Sequence, residues 1–262
     1  MSRFVQPHRP RKRFGQHFLV DHQIIERLVR AIAPRPGERL LEIGPGEGVL
    51  TRPLLAAGAA VTAVELDRDL ASSLADRLGQ PPRLDIVQGD ILATDVVALA
   101  GDQALRVVGN LPYNISTPIL FHLFDHLAAI GDMHFMLQKE VIDRLVADPG
   151  GREYGRLSVM ASFFCEMNWL FDVPPEAFRP PPKVVSAIVR LRPKSLSEAE
   201  LQVLPALDAV VRQAFGQRRK TLRNSLRGLL DSPSIEAAGV DPGTRPERLS
   251  LQEFLQLALT TR

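Results

Sequence analysis

Arg39-Leu40-Leu41-Glu42-Ile43-Gly44-Pro45-Gly46-Glu47-Gly48 is an apolar strand that runs without a break into a glycine-rich turn. A helix is expected to begin near Val49. A turn of this kind lets backbone approach a ligand closely and aims the first helix N–H groups at it. The next strand, Ala60-Val61-Thr62-Ala63-Val64, ends in Glu65, twenty-one residues after Gly44. A dinucleotide fold places the acid that binds ribose hydroxyls at about this spacing. A third strand, Leu84 to Val87, ends at Gly89-Asp90. Nicotinamide enzymes require G-x-G-x-x-G, but the third position here is Val49, and the pattern is Glu42-x-Gly44-x-Gly46-x-Gly48. A glycine loop alone is compatible with a plain tight turn. Glu65 and Asp90, each at a strand end and in order, point instead to a nucleoside-binding α/β half.

Further on, Val107-Val108-Gly109-Asn110-Leu111-Pro112-Tyr113-Asn114 repeats the pattern of a buried strand, from Arg106 to Val108, leaving through a turn. Ligands of open α/β sheets bind at that edge. Pro112 fixes its own φ and pushes Leu111 into an extended conformation, so Asn110 and Tyr113 sit on stiffened backbone.

The chain has 262 residues, of which 45% are hydrophobic and 24% charged, enough to bury a proper core. No apolar run is long enough to span a bilayer, and the basic N-terminus lacks the apolar core of a secretory signal. The single cysteine, Cys165, allows no intrachain disulfide and fits a reducing compartment. A soluble, cytoplasmic protein is expected. Net charge is only +2, yet two stretches are basic and free of acids. The first holds Arg3, Arg9, Arg11, Lys12 and Arg13; the second, between Val211 and Leu230, holds Arg212, Arg218, Arg219, Lys220, Arg223 and Arg227. Such runs are often solvated faces, but two of them in a nearly neutral chain favour a polyanionic partner.

Asp21 can cap a helix whose Ile24, Ile25, Leu28, Val29 and Ile32 share a face. Helices are expected over Thr117 to Leu127 and Gln138 to Val146, with a strand over Met133 to Leu137 between them. Late strands are expected from Ser158 to Phe171 and from Val184 to Leu191. The proline-rich segment Pro174 to Lys183 reads as a stiff loop presenting Phe178 between Arg179 and Lys183. After Pro193 only helices are expected, with capping boxes at Ser197/Glu200 and Ser250/Glu253 and a basic helix over Gly216 to Leu230. His122 and His126 stand at i and i+4, but Leu123 replaces the Glu that a metalloprotease helix needs, and no third ligand is evident. No metal is expected.

Five stretches together resemble the ribosomal small-subunit (16S) rRNA adenine-N6,N6 dimethyltransferase family. They are Arg11 to Leu19 (RKRFGQHFL), Glu42 to Gly48, Asn110 to Ser116 (NLPYNIS), Phe178 to Ser186, and Phe215 to Asn224 (FGQRRKTLRN). The resemblance spans nearly the whole chain. It implies an α/β architecture: a Rossmann-like class I methyltransferase sheet over residues 1–193, using S-adenosyl-L-methionine, and a small all-helical domain for RNA or ribosome binding over residues 194–262. It also implies transfer of methyl groups to N6 of two adjacent adenosines in a hairpin near the 3′ end of small-subunit rRNA, with two methyls per base. The partner would be that rRNA within a pre-ribosomal small subunit; no membrane is involved, and a monomer is expected. Carried over by position, His17 and Leu19 would touch the cofactor, Gly44 would lie against its methionine portion, and Glu65 would take the ribose hydroxyls. Asp90 would take the adenine amino group, and Asn110 would face the reactive end. His17 departs from the Asn of many relatives.

An exocyclic adenine amine is a poor nucleophile because its lone pair is delocalised into the ring. It needs acceptors for its protons, placed so that the lone pair points at the methyl. The Asn110 side-chain oxygen and the Leu111 carbonyl can serve, on backbone held by Pro112. Tyr113 can stack on the base and Phe178 is expected to cover its other face; the base must be out of its stack to be reached. Arg11, Lys12 and Arg13, with Arg218, Arg219, Lys220 and Arg223, are candidates for phosphate contacts. Two alternatives remain at this point. One is the related antibiotic-resistance activity on large-subunit rRNA; the other is a non-catalytic assembly or transcription factor on the same fold.

Overall fold

The structure, a computed structural model, describes residues 16–261. Five strands run parallel: β2 (Arg39–Ile43), β3 (Ala60–Glu65), β4 (Leu84–Gln88), β5 (Leu105–Asn110) and β6 (Ile130–Gln138). They are preceded by β1 (Phe18–Leu19) and joined by helices α2 (Thr51–Ala56), α3 (Arg68–Leu78), α4 (Val96–Ala100) and α5 (Ser116–Phe124). Two later strands, β7 (Cys165–Val173) and β9 (Ser186–Pro193), complete a seven-stranded sheet of order β4-β3-β2-β5-β6-β9-β7. Strand β9 is antiparallel to β6. A separate two-stranded ribbon pairs β1 with β8 (Phe178–Arg179), Leu19 opposite Phe178.

The chain goes outward from β2 to β3 and β4, then returns to start β5 on the other side of β2. That reversal opens a crevice beyond the carboxyl ends of β2 and β5, where sheets of this kind bind ligands. Both central strands are buried without alternation: Leu40, Leu41, Val107 and Val108 are fully enclosed. Each such side chain contributes roughly 1.5–3 kcal/mol relative to exposure. Gly109 makes their close approach possible, since a Cβ there would stand 2.6 Å from the Ile43 carbonyl oxygen. Helix α1 (His22–Ile32) packs Ile25, Leu28 and Ile32 inward, and the Asp21 side chain accepts from the Gln23 and Ile24 amides as its sequence predicts.

Towards the opposite end of β5 and β6 lies a buried ionic knot. Arg106 donates to both Asp132 oxygens (2.8 and 3.2 Å), to Glu38 Oε2 (2.9 Å) and to the Ile32 carbonyl (2.6 Å). Arg190 adds a 2.8 Å bond to Asp132 Oδ2. The end of α1 is thereby tied to β5, β6 and β9. The adjoining His134 ring is enclosed, and burial pushes its pKa down to about 4.

The chain divides into two compact units, Met1–Ile142 with Asn168–Pro193, and Asp143–Met167 with Lys194–Arg262. A single division between residues 193 and 194 therefore does not describe it. The reason is α7 (Arg156–Phe164), which follows the short α6 (Lys139–Leu145) and packs on the first C-terminal helix, α8 (Glu198–Gly216). The expected strand beginning at Ser158 is thus corrected: Arg156–Phe164 is helical, and the strand starts only at Cys165. Nearly every side chain of α7 is buried, leaving no polar face to mark the helical period. Beyond α8 come α9 (Leu222–Ser225), α10 (Ser232–Ala237) and α11 (Leu251–Leu259), and both expected capping boxes form. The basic segment is not one helix. After Gly216 the chain turns, passes through extended Thr221 and makes only the single turn of α9, whose Leu222 and Arg223 amides donate to Thr244 and Pro242 carbonyls.

Candidate active site

A cavity of about 370 Å³ lies at the crevice between β2 and β5. Gln16 to Leu19, Glu42 to Glu47, Glu65, Leu66, Gly89 to Leu92, Asn110 to Ile115 and Met136 contribute to its wall. Four successive strand ends thus supply it, and all six positions expected at the cofactor line it: His17, Leu19, Gly44, Glu65, Asp90 and Asn110.

Glycines shape the β2 turn. Gly46 has φ +57, and a Cβ there would stand 3.0 Å from the Phe18 ring. Its N–H donates to Glu65 Oε2 (3.1 Å), while Glu65 Oε1 accepts from the Asp67 amide (2.9 Å). The Glu65 carboxylate is therefore fixed at the end of β3, and burial raises its pKa. Asp90 uses Oδ1 to cap the turn after β4, accepting from the Leu92 amide (2.9 Å).

At β5 the amide of Asn110 is oriented by a specific bond. Nδ2 donates to the His17 backbone carbonyl (3.0 Å), which directs Oδ1 the other way, with no donor to it among the described residues. The Leu111 amide donates to Met136 O (3.1 Å), and its carbonyl takes no backbone hydrogen bond among the described residues. Pro112 begins the turn into α5, its carbonyl accepting from Ile115 N (3.2 Å). Two carbonyl-type acceptors are therefore left open on neighbouring residues of pinned backbone, which suits the aiming of an amine.

Tyr113 is half-buried beside them, its hydroxyl 2.6 Å from Ser186 Oγ. Burial raises the phenol pKa, so the ring stays neutral. The His17 imidazole stacks on it, centroids 5.4 Å apart and planes at 22°, and His17 Nδ1 donates to the Pro180 carbonyl (2.7 Å). One face of Tyr113 is thus already taken, and a base can stack only on the other.

Phe178 is a correction. It was expected to cover the target base, but its side chain is 2% exposed, packed in a core cluster with Leu19, Leu28 and Ile188, and absent from the cavity wall. The pairing of β8 with β1 turns Phe178 inward and leaves Arg179 outside. Conversely, Glu42 has a place at the cavity that its motif did not assign. It is 2% exposed, its Oε2 has no hydrogen-bond partner among the described residues, and its pKa is raised to about 7. Burial is the main cause, with the like charge of Glu65 adding to it. A polar residue closing a buried strand was the available signal. Ser186 closes the motif stretch Phe178 to Ser186 but no role attaches to it from sequence, because that role depends on β9 coming beside Tyr113.

Of the expected RNA contacts, Arg11, Lys12 and Arg13 lie outside the described residues. Arg218, Arg219, Lys220 and Arg223 are exposed on the C-terminal unit. Arg218 also donates to the Arg152 carbonyl, which brings Arg152, 96% exposed along its side chain, to the same basic cluster. His122 Nε2 meets the Thr94 carbonyl and His126 Nδ1 the His122 carbonyl, so both rings serve local structure. Among the described residues no group of three or more His, Cys, Asp or Glu is arranged to hold a metal, and no helix is long and apolar enough to cross a membrane.

Known proteins match along the full length. The chain is 57% identical over 251 residues to the ribosomal RNA small subunit methyltransferase A of Methylococcus capsulatus, covering 96% of this chain and 97% of that one. A dimethyladenosine transferase from Plasmodium falciparum shares the fold with a TM-score of 0.78 at 27% identity, over 92% of this chain and 96% of the other. The 23S rRNA methyltransferase ErmE superposes with a TM-score of 0.71 at 30% identity, over 93% of this chain and 98% of its own. The profile of one family, described as ribosomal RNA adenine dimethylase, matches residues 7–261, and with it this chain belongs to that family.

Proposed function

We propose that this protein transfers methyl groups from S-adenosyl-L-methionine to N6 of two adjacent adenosines near the 3′ end of small-subunit rRNA. It would act as a cytoplasmic monomer on a particle still in assembly. The observation that carries the proposal is the convergence, at one sheet reversal, of a nucleoside-type pocket and two free carbonyl acceptors at Asn110 and Leu111.

The residues fit the cofactor. A glycine turn without side chains, a fixed Glu65 carboxylate and the second oxygen of Asp90 suit a methionine portion, a ribose and an adenine. The unpartnered, enclosed Glu42 oxygen gives the pocket an acceptor for a cationic or hydroxylic group. When bound, S-adenosylmethionine supplies an electrophilic methyl on a positively charged sulfur. Asn110 Oδ1 and the Leu111 carbonyl accept hydrogen bonds from N6–H, two before the first transfer and one before the second, and so set the direction of the nitrogen lone pair. Tyr113 holds the flipped base by its one open face, with Ser186 and His17 fixing the ring. No strong base is required, since the alkylated amine can lose a proton to water. Catalysis on this arrangement is chiefly positioning.

The fold is shared with a large-subunit enzyme and does not choose between targets. The similarity to a small-subunit enzyme, at 57% identity, favours the small subunit. The intact pocket favours an enzyme over a non-catalytic factor. The test offers undermethylated small and large subunits side by side with labelled methyl donor. Label in the small subunit alone is expected; label confined to the large subunit, or none, overturns the proposal.

A further inference from the structure

Placing two methyl groups on one nitrogen raises a problem of space that a single transfer does not. Before the first transfer N6 carries two protons for the acceptors at Asn110 and Leu111; before the second it carries one proton and one methyl. An N–H···O bond holds nitrogen and oxygen about 2.9 Å apart, whereas a methyl carbon in the proton's place must itself stay about 3.3 Å from the oxygen. The acceptor on that side therefore has to recede by roughly 2 Å.

The two acceptors differ in their freedom to do so. The Leu111 carbonyl belongs to backbone held on both sides, by the Leu111 amide on Met136 O (3.1 Å) and by Ile115 N on the Pro112 carbonyl (3.2 Å). Pro112 stiffens the same backbone further. The Asn110 amide stands at the end of a side chain, anchored through Nδ2 on the His17 carbonyl (3.0 Å). It can turn, provided that what lies beside it yields.

Beside it lies Met136. The parallel register sets Asn110 opposite Met136 across β5 and β6, so the two side chains leave the same face of the sheet. Met136 is 1% exposed, and with Leu19 and Leu28 it belongs both to the cavity wall and to the core cluster behind that wall. An unbranched thioether with three rotatable bonds changes shape at small cost, which a β-branched side chain cannot do.

We infer that Met136 is the yielding wall of the site and determines that each base receives a second methyl. On the second transfer the methyl already on N6 takes the Asn110 side, the Asn110 amide and the Met136 side chain shift to admit it, and the Leu111 carbonyl keeps the remaining N–H. N6 gains the bond to the methyl carbon that the sulfur gives up, leaving the sulfur neutral, and then releases its last proton to water. The inference rests on the dimethyltransferase reading above.

Undermethylated small subunits are incubated with an excess of the full chain and labelled donor. N6-methyladenosine and N6,N6-dimethyladenosine are followed in time after digestion. The readout is the ratio of the second rate constant to the first, which a general loss of folding or of cofactor binding leaves unmoved. Met136→Ile keeps the volume but puts a stiff branch at Cβ, so its ratio is expected to fall about tenfold, with the monomethylated base accumulating. Met136→Ala opens the wall and Met136→Leu moves the branch away from the backbone; both ratios should stay within about threefold of the parent. A side chain that merely fills the core would rank the other way, with alanine the most damaging. A Met136→Ile ratio within threefold of the parent, or a fall in Met136→Ala as large as in Met136→Ile, overturns the inference. A parent chain that labels no N6 position removes the functional reading itself. N6 transfer with parent-like ratios in every variant removes the role of Met136 alone.

Discussion

The Asn110 side chain does two things at once. Its Nδ2 is held by the His17 carbonyl, and that bond leaves Oδ1 open as an acceptor, next in sequence to the unpaired Leu111 carbonyl. Removing the side chain should leave Gly44, Glu65 and Asp90 in place while the amine loses one of its two guides. Asn110→Ala is therefore expected to lower turnover by about a hundredfold or more, with cofactor affinity changed only a few-fold. Calorimetry for binding and labelled-methyl transfer for turnover read the two separately; undiminished turnover would remove Asn110 from the mechanism. His17 is a residue whose contribution the sequence could not separate into parts. The resemblance implies only that it touches the cofactor; in the structure it lines the cavity, its backbone carbonyl orients Asn110 and its ring stacks on Tyr113. Motif position alone does not reveal which atoms act.

At the level of elements, the β1–β8 ribbon decides the role of Phe178. A two-residue pairing places Leu19 against the cavity and Phe178 in the core behind it. Phe178→Ala should therefore act as a core truncation, costing about 3–5 kcal/mol of stability. Phe178→Leu should keep turnover within a few-fold of the parent. A hundredfold loss of turnover in Phe178→Leu, at unchanged melting temperature and cofactor affinity, would return the residue to the base. The strand–turn pattern from Arg39 to Asp90 was legible because each apolar run stops at glycine or an acid, and β2 matches its expected limits. Two elements were not legible, for opposite reasons. Helix α7 is buried all round and shows no period, so its apolar run resembled a strand. The Gly216 to Leu230 segment has helical leucine spacing, but the loop from Pro242 to Thr244 takes the amides of α9 and holds the chain in a turn. Long-range pairing, invisible to local pattern, settled both that turn and the ribbon.

Across the whole molecule, two enclosed groups give stability opposite dependences on pH. His134 has its pKa lowered to about 4, chiefly by burial, with the positive charges of Arg106 and Arg190 adding and Asp132 opposing. The unfolded chain binds its proton more readily, so the native state loses stability as pH falls from about 6.5 to about 4, on the order of 3 kcal/mol. Glu42, raised from 4.5 to about 7, behaves in the reverse sense. There the native state holds the proton, and stability is lost as pH rises through that interval, again on the order of 3 kcal/mol. The two slopes largely offset each other in the parent. Denaturant titrations from pH 4 to 8 should show His134→Gln less stable at neutral than at mildly acid pH, relative to the parent, and Glu42→Gln the opposite. Parallel profiles for all three proteins would contradict this pairing. Asp132, with its pKa held low by Arg106 and Arg190 despite burial, adds a loss at more acid pH, as protons reach the knot.

One sheet reversal aims the N6 amine of a small-subunit adenosine for methyl transfer. Undermethylated small subunits, incubated with this protein and labelled donor, are digested, and the modified nucleosides are identified and mapped. N6,N6-dimethyladenosine is expected at two adjacent positions near the 3′ end of the small-subunit rRNA. Label on any other atom or base of that RNA, or none, would contradict it.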